Sequence, residues 1–195
     1  MRTQRLITYT FAACLVSLFA GTAMANDGSG QFNAFLKGKY QFIINQSCTT
    51  SDVAPGFIGV VSQGQGQTDV NYFTGVITYD GNGHATQTDH GIFLSGVPHG
   101  PGGTPVDPFE EECHYTYAVA RDGSFSQEGS CTGVGGRYKL SGDKWKGQIG
   151  LGGLVLIMNQ VGTDVSTFEM PAVAPTSTQY RMCGGVNTSM RIQPQ

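Results

Sequence analysis

Charge is scarce in this chain: 11 Lys and Arg and 14 Asp and Glu among 195 residues, 13% in all. The slight acidic excess makes nucleic acid and anionic lipid poor partners, because both select basic surfaces. Long helical periodicity is missing, which argues against bundles and βαβ folds. No Gly-x-Ser-x-Gly elbow, no His-Glu-x-x-His helix and no EF-hand spacing occurs. Three common routes to hydrolase or calcium chemistry therefore lack a footing in the sequence. No apolar run is long enough for a strong transmembrane helix. Residues 6–19 come nearest, and Thr8, Tyr9 and Thr10 interrupt them.

Glycine, by contrast, is abundant: 29 of 195 residues, twice the usual ~7%. With so little charge, this composition suits many short strands joined by tight turns. Residues 1–25 have the form of a secretory signal. Arg2 and Arg5 supply a basic start, an apolar stretch follows, and Ala23-Met24-Ala25 is a small-x-small cleavage site. A lipoprotein signal acylated at Cys14 is the rival, disfavoured because most of the apolar run would follow the cut. Cleavage after Ala25 leaves four cysteines, Cys48, Cys113, Cys131 and Cys183. An even count behind a signal implies two disulfides in an oxidising compartment, secreted or periplasmic.

Residues 112–132, ECHYTYAVARDGSFSQEGSCT, specify a β-hairpin and its register. Cys113, Tyr115, Tyr117 and Val119 alternate with polar residues, as do Phe125 and Cys131, so one face is buried and one is wet. With Arg121-Asp122-Gly123 as a type I turn followed by a left-handed Gly, Val119 faces Phe125, Tyr117 faces Gln127 and Cys113 faces Cys131. Opposed residues of an antiparallel pair lie within disulfide range. Cys113–Cys131 is therefore expected, which leaves Cys48 with Cys183.

The same grammar extends along the chain. Residues 26–35 are expected to be a flexible leader, and residues 36–195 a single domain. Residues 36–48 form a first strand, and 57–61 a short apolar run. Residues 70–79 and 84–94 form a hairpin around Asp80-Gly81-Asn82-Gly83. Residues 95–111 carry Pro98, Pro101, Pro105 and Pro108 and are expected to be a long irregular loop, functional or mobile. Ser141-Gly142-Asp143-Lys144 is expected to be a third turn, and Gly184-Gly185 a bulge or turn in the last strand. About eight to ten strands in up-and-down order are expected to curl into a closed antiparallel barrel, which removes the edges.

Residues 36–44 (LKGKYQFII), 73–84 (FTGVITYDGNGH) and 115–125 (YTYAVARDGSF) resemble the secreted lipocalin-like, or calycin-like, β-barrel proteins of bacteria. Gly38-Lys39-Tyr40 is similar to the Gly-x-Trp of lipocalin first strands, with Tyr for Trp. Arg181 or Arg191 would supply the last-strand Arg that packs on that aromatic. The resemblance implies a barrel holding a small apolar ligand. The expected lining is Tyr40, Phe42, Phe73, Tyr115, Tyr117 and Trp145, with His84 and His90 as imidazoles facing the cavity and residues 95–111 as a lid.

No catalytic residue, cofactor or metal ligand is assigned. Asp107, Glu110, Glu111, Glu112 and His99 could assemble a hard-cation site, but adjacent carboxylates more often keep a loop solvated. The alternative function is a structural or adhesive envelope protein with a solid barrel. It requires a contiguous exposed apolar patch, or self-association. An enzyme would need two titratable groups converging in a cleft. A membrane-spanning barrel is disfavoured because the outward parity is Ser, Thr, Glu and Lys. Partners beyond a small apolar molecule, and the oligomeric state, stay open.

Overall fold

The computed structural model describes residues 30–51, 67–95, 105–160, 164–171 and 177–192. The signal segment, the 57–61 run, His99 and most of the 95–111 loop lie outside them. Nine strands follow in order: β1 (Lys37–Ser51), β2 (Gln67–Asp80), β3 (His84–Ser95), β4 (Val106–Val119) and β5 (Ser124–Gly133), then β6 (Lys139–Gly150), β7 (Val155–Gln160), β8 (Val165–Met170) and β9 (Ser177–Arg191). Each pairs antiparallel with its neighbour. β7 and β8 lie one after the other in a single slot between β6 and β9. β9 returns to β1, from Tyr40 opposite Arg191 to Ser51 opposite Tyr180, and closes an eight-slot barrel.

The 112–132 hairpin has the expected register, with Cys113 opposite Cys131 and Val119 opposite Phe125. Both disulfides join directly opposed strand residues, Cys113 to Cys131 and Cys48 to Cys183. All four cysteines are buried, so both bridges lie on the interior face. Asp side chains build the tight turns. The Asp80 carboxylate accepts the amides of Asn82 and His84 at 2.6 and 3.0 Å, and that of Asp122 accepts the Ser124 amide at 2.9 Å. Gly81, Gly83 and Gly123 take the positive φ these turns need.

Several expectations are corrected. Residues 30–35 are not a loose leader. A 3-10 turn (Asn33–Phe35) closes one end of the barrel, with Asn33 Oδ1 accepting the Val119 amide at 2.9 Å. Ser141–Lys144 is no turn but a β-bulge inside β6. Gly142, at φ 75°, has no partner between Ser141 opposite Ser130 and Asp143 opposite Gly129. A positive-φ Gly serves a bulge as well as a turn, and here the extra residue rotates Asp143 and Trp145 inward.

Pro108 lies within β4, opposite Ile92. Its carbonyl takes Arg137 Nη1 at 3.1 Å, so its missing N–H faces away from β3. The ladder to β5 begins only at Glu111, which makes this stretch a local edge where proline costs no ladder bond.

β9 runs unbroken through Gly184 and Gly185. Gly185 is required for close approach, because a Cβ there would sit 2.3 Å from Gln46 Cβ, whereas one at Gly184 meets nothing within 4 Å. Gly185→Ala is expected to cost about 2–3 kcal/mol, and Gly184→Ala less than ~0.5 kcal/mol. Urea denaturation of the two variants checks this contrast between adjacent residues.

Candidate functional site

Inward side chains divide the interior into two storeys. The storey beside the 3-10 turn is an aromatic plug. Tyr40 and Tyr79 meet edge-to-face at 5.5 Å, and Tyr79 and Tyr117 at 5.0 Å. Their hydroxyls are all used. Tyr40 donates to the Gly153 carbonyl at 2.6 Å, Tyr117 to that of Leu36 at 2.8 Å, and Tyr79 to Gln127 Oε1 at 2.8 Å. Such bonds remove the cost of burying phenols.

The other storey is polar. Asp89, Glu111, Asp143, Asp69 and Arg181 are all buried there. Asp143 accepts three bonds: from Trp145 Nε1 at 2.7 Å, Gln160 Nε2 at 2.7 Å and the Tyr115 hydroxyl at 2.9 Å. Glu111 accepts the Tyr138 hydroxyl at 2.8 Å, and Asp89 accepts Gln87 Nε2 at 2.6 Å. Asp89 and Glu111 are strand partners. The Arg181 guanidinium lies over Phe93 at 5.6 Å and Phe168 at 5.3 Å.

Burial sets the protonation of this group. Desolvation, then the Glu111 charge, pushes Asp89 up to about 8. Desolvation pushes Glu111 up to about 7 against the Tyr138 hydrogen bond. Asp143 is raised by desolvation, and its Trp145 and Tyr115 donors oppose the rise. Desolvation lowers Arg181, while Asp69, Glu111 and Asp143 hold its charge in place. Asp143, with three donors, is best suited to stay anionic beside Arg181. Asp89 and Glu111 then share a proton, since two facing buried carboxylates cannot both ionise at low cost.

The enclosed space in this storey amounts to about 20 Å³, bordered by Gln46, Glu111, Tyr115, Asp143, Trp145 and Arg181. It suits one water. An apolar ligand needs roughly 300 Å³ or more. Four buried oxygens, Gln46 Oε1, Asn71 Oδ1, Asp89 Oδ1 and Gln160 Oε1, have no protein donor. A water in the space and the shared proton at Asp89 are the natural means of satisfying such atoms.

Of the residues expected to line a cavity, Tyr40, Phe42, Tyr115, Tyr117 and Trp145 are buried and Phe73 is partly buried against the core. Among the described residues they pack against one another around that small polar space. His84 and His90 correct the expectation: both are exposed on the outer wall. The inward parity of β3 belongs to Ala85, Gln87 and Asp89, with Gln87 Nε2 donating to one Asp89 oxygen. His90 borders an open groove of about 410 Å³ with Pro108, Glu110 and Arg137.

The loop acids separate. Glu110 and Glu112 face out, Glu111 faces in, and Asp107 pairs with Arg137 at 3.1 Å. Glu111 also comes near Cys113 and Cys131, but those sulfurs are joined to each other and are spent as metal ligands. Arg191 is the strand partner of Tyr40, whereas Arg181 stands at the polar end.

Sequence reasoning missed Asp89, Glu111 and Arg181 as a buried group. The signal was available for Glu111, which shares the parity of Cys113, Tyr115 and Tyr117. Asp143 was hidden by the bulge. No family model matches the chain, and neither the curated proteins nor the solved structures yield a match. Fold and interior together define the class: a closed antiparallel β-barrel with two interior disulfides and a hydrogen-bonded core that is close-packed among the described residues.

Proposed function

We propose that this protein is a solid structural or adhesive barrel of the cell envelope or exterior, acting through its outer surface and not by carrying an apolar ligand. The observation that carries this reading is the close packing of the interior among the described residues, where a charged network occupies the storey a ligand would need. Two disulfides suit an oxidising compartment. The described residues contain no helix long and apolar enough to cross a membrane. The signal-like residues 1–25 and the resemblance to secreted lipocalin-like barrels support the same setting.

An exposed apolar wall gives the outer surface something to act with. Ile43, Tyr72, Ile157, Val186 and Met190 stand outward on β1, β2, β7 and β9. This wall also explains why residues 154–158 are apolar at every position: Leu156 and Met158 fill the core, while Leu154 and Ile157 face out. Native mass spectrometry of protein isolated from its own host is expected to give the bare polypeptide mass with two disulfides. A retained apolar molecule in stoichiometric amount would overturn the reading.

A further inference from the structure

We infer that the β7–β9–β1–β2 wall is a homotypic interface, on which a second copy of this chain packs about a twofold axis running along β9. The inference rests on the outer-surface reading above and names its partner. Three observations carry it.

The first is charge. From the row of Gln41 upward, the outward positions of these four strands hold no charged residue; Lys39 and the exposed Arg191 mark the lower margin. The opposite wall carries Glu110, Glu112, Glu128 and Lys144 on β4, β5 and β6, and Lys146 of β6 borders the uncharged face beside Asn159 of β7. An uncharged face offers nothing to a charged partner or an anionic headgroup, but it is electrostatically matched to itself.

The second is area. Ile43 is 67% exposed and Met190 63%, and Ile157, Val186 and Tyr72 are each near half. Together they present an apolar surface on the order of several hundred Å², the size of the largest patch on a typical monomer, which is often functional. With the threonines and amides between them, this approaches the ~800 Å² per partner of a stable interface.

The third is pattern. Across the wall, Thr188 of β9 is flanked by Ile43 on β1 and Ile157 on β7, and Val186 is flanked by Asn45 and Asn159. These two rows read the same from either side of β9; the next row sets Met190 between Gln41 and Val155, both uncharged. A twofold along that strand places Ile43 of one copy on Ile157 of the other and Asn45 on Asn159, while Val186, Thr188 and Met190 meet themselves; at the rim it sets Tyr72 of β2 over Lys146 of β6. Isologous contacts require this kind of self-complementarity.

Sedimentation and light scattering of the disulfide-intact protein test the inference. The wild type is expected at twice the chain mass. Ile43→Lys and Ile157→Glu, each at an exposed site, should each weaken self-association at least about tenfold, because they bury an unpaired charge. Mixing the two variants should restore the dimer, since the twofold brings the introduced ammonium of one against the introduced carboxylate of the other. Thr86→Lys on the polar wall should leave the mass unchanged, and melting curves should show all variants folded. A wild type that stays monomeric at about 100 µM overturns the inference. So does a dimer indifferent to both substitutions, a mixture that fails to recover, or a monomer that floats with neutral vesicles. None of these outcomes touches the solid-barrel reading, which falls only if a ligand is found inside.

Discussion

Raising the pH from about 5 to about 8 is expected to lower the melting temperature by on the order of 10 °C. The cause is the buried acid pair. Unfolded, Asp89 and Glu111 ionise near their ordinary values, about 4. Folded, they hold protons until about pH 8 and about pH 7 respectively. Below about pH 4 both states are protonated and the pair costs nothing. As pH rises past that point, the unfolded chain ionises first and gains free energy that the folded chain cannot. The stability is lost progressively and the loss is complete above about pH 8. A shift of several units amounts to a few kcal/mol.

Other groups bound this window. Asp80 and Asp122 are held below the usual carboxylate range by the hydrogen bonds of their turns, so stability also falls under strong acid. Asp143, Arg181, Tyr115 and Tyr138 surround the pair, and Asp69 acts on Arg181. Arg181 keeps its charge throughout and does not alter the sign. Asp89→Asn preserves the bond network's shape while removing the titration. It should flatten the pH profile and leave the variant more stable than wild type at pH 8. Calorimetric melts at a series of pH values decide the matter. A wild-type melting temperature that climbs from pH 5 to 8, or an Asp89→Asn profile as steep as wild type, would show that the pair is not what holds the proton.

The same residues show what a sequence can reveal. The 112–132 hairpin is legible because three independent constraints agree: turn chemistry, alternating parity, and two cysteines at matching distance from the turn. Barrel closure follows from strand count and the cost of open edges. What escapes is whatever depends on a partner strand. Gly142 carries the same local signal for a turn and for a bulge, and only pairing with β5 separates them. Gly185 looks like a breaker until Gln46 is seen leaning over it. Asp89 looks solvated until Gln87 and Glu111 are placed around it. The apolar company of Ile92 and Leu94 points His84 and His90 inward, yet the inward parity of β3 belongs to polar side chains, Gln87 and Asp89. Polar interiors reverse the usual inference from hydrophobic pattern to face.

Removing Cys48–Cys183 is expected to destabilise the protein more than removing Cys113–Cys131, although both bridges look alike locally. Each joins opposed residues with Cα atoms 4.0 Å apart, and each is buried. They differ in the chain they close: 135 residues against 18. On the chain-entropy account, the longer loop stabilises by about 5 kcal/mol and the shorter by about 3 kcal/mol. The longer bridge also crosses the β1–β9 seam, the pairing that turns an open sheet into a barrel. The shorter one lies within a hairpin whose turn already holds its register. Paired Cys→Ser variants, compared by urea denaturation at pH 5, test the order. At that pH the folded pair is protonated in every variant, so the titration described above contributes equally to each and cancels from the comparison. Loss of the seam bridge should also speed hydrogen exchange in the upper halves of β1 and β9, while loss of the hairpin bridge leaves those amides protected. Equal costs, or the reverse order, would mean that native-state packing around the sulfurs outweighs loop closure. Gln46 and Asn71 both donate to Cys48 Sγ at 3.3 Å, whereas the Tyr115 hydroxyl and Gln87 approach the sulfurs of the other bridge at 3.5 and 3.8 Å. Local bonding therefore also favours the seam bridge, and a reversed order would contradict both accounts at once.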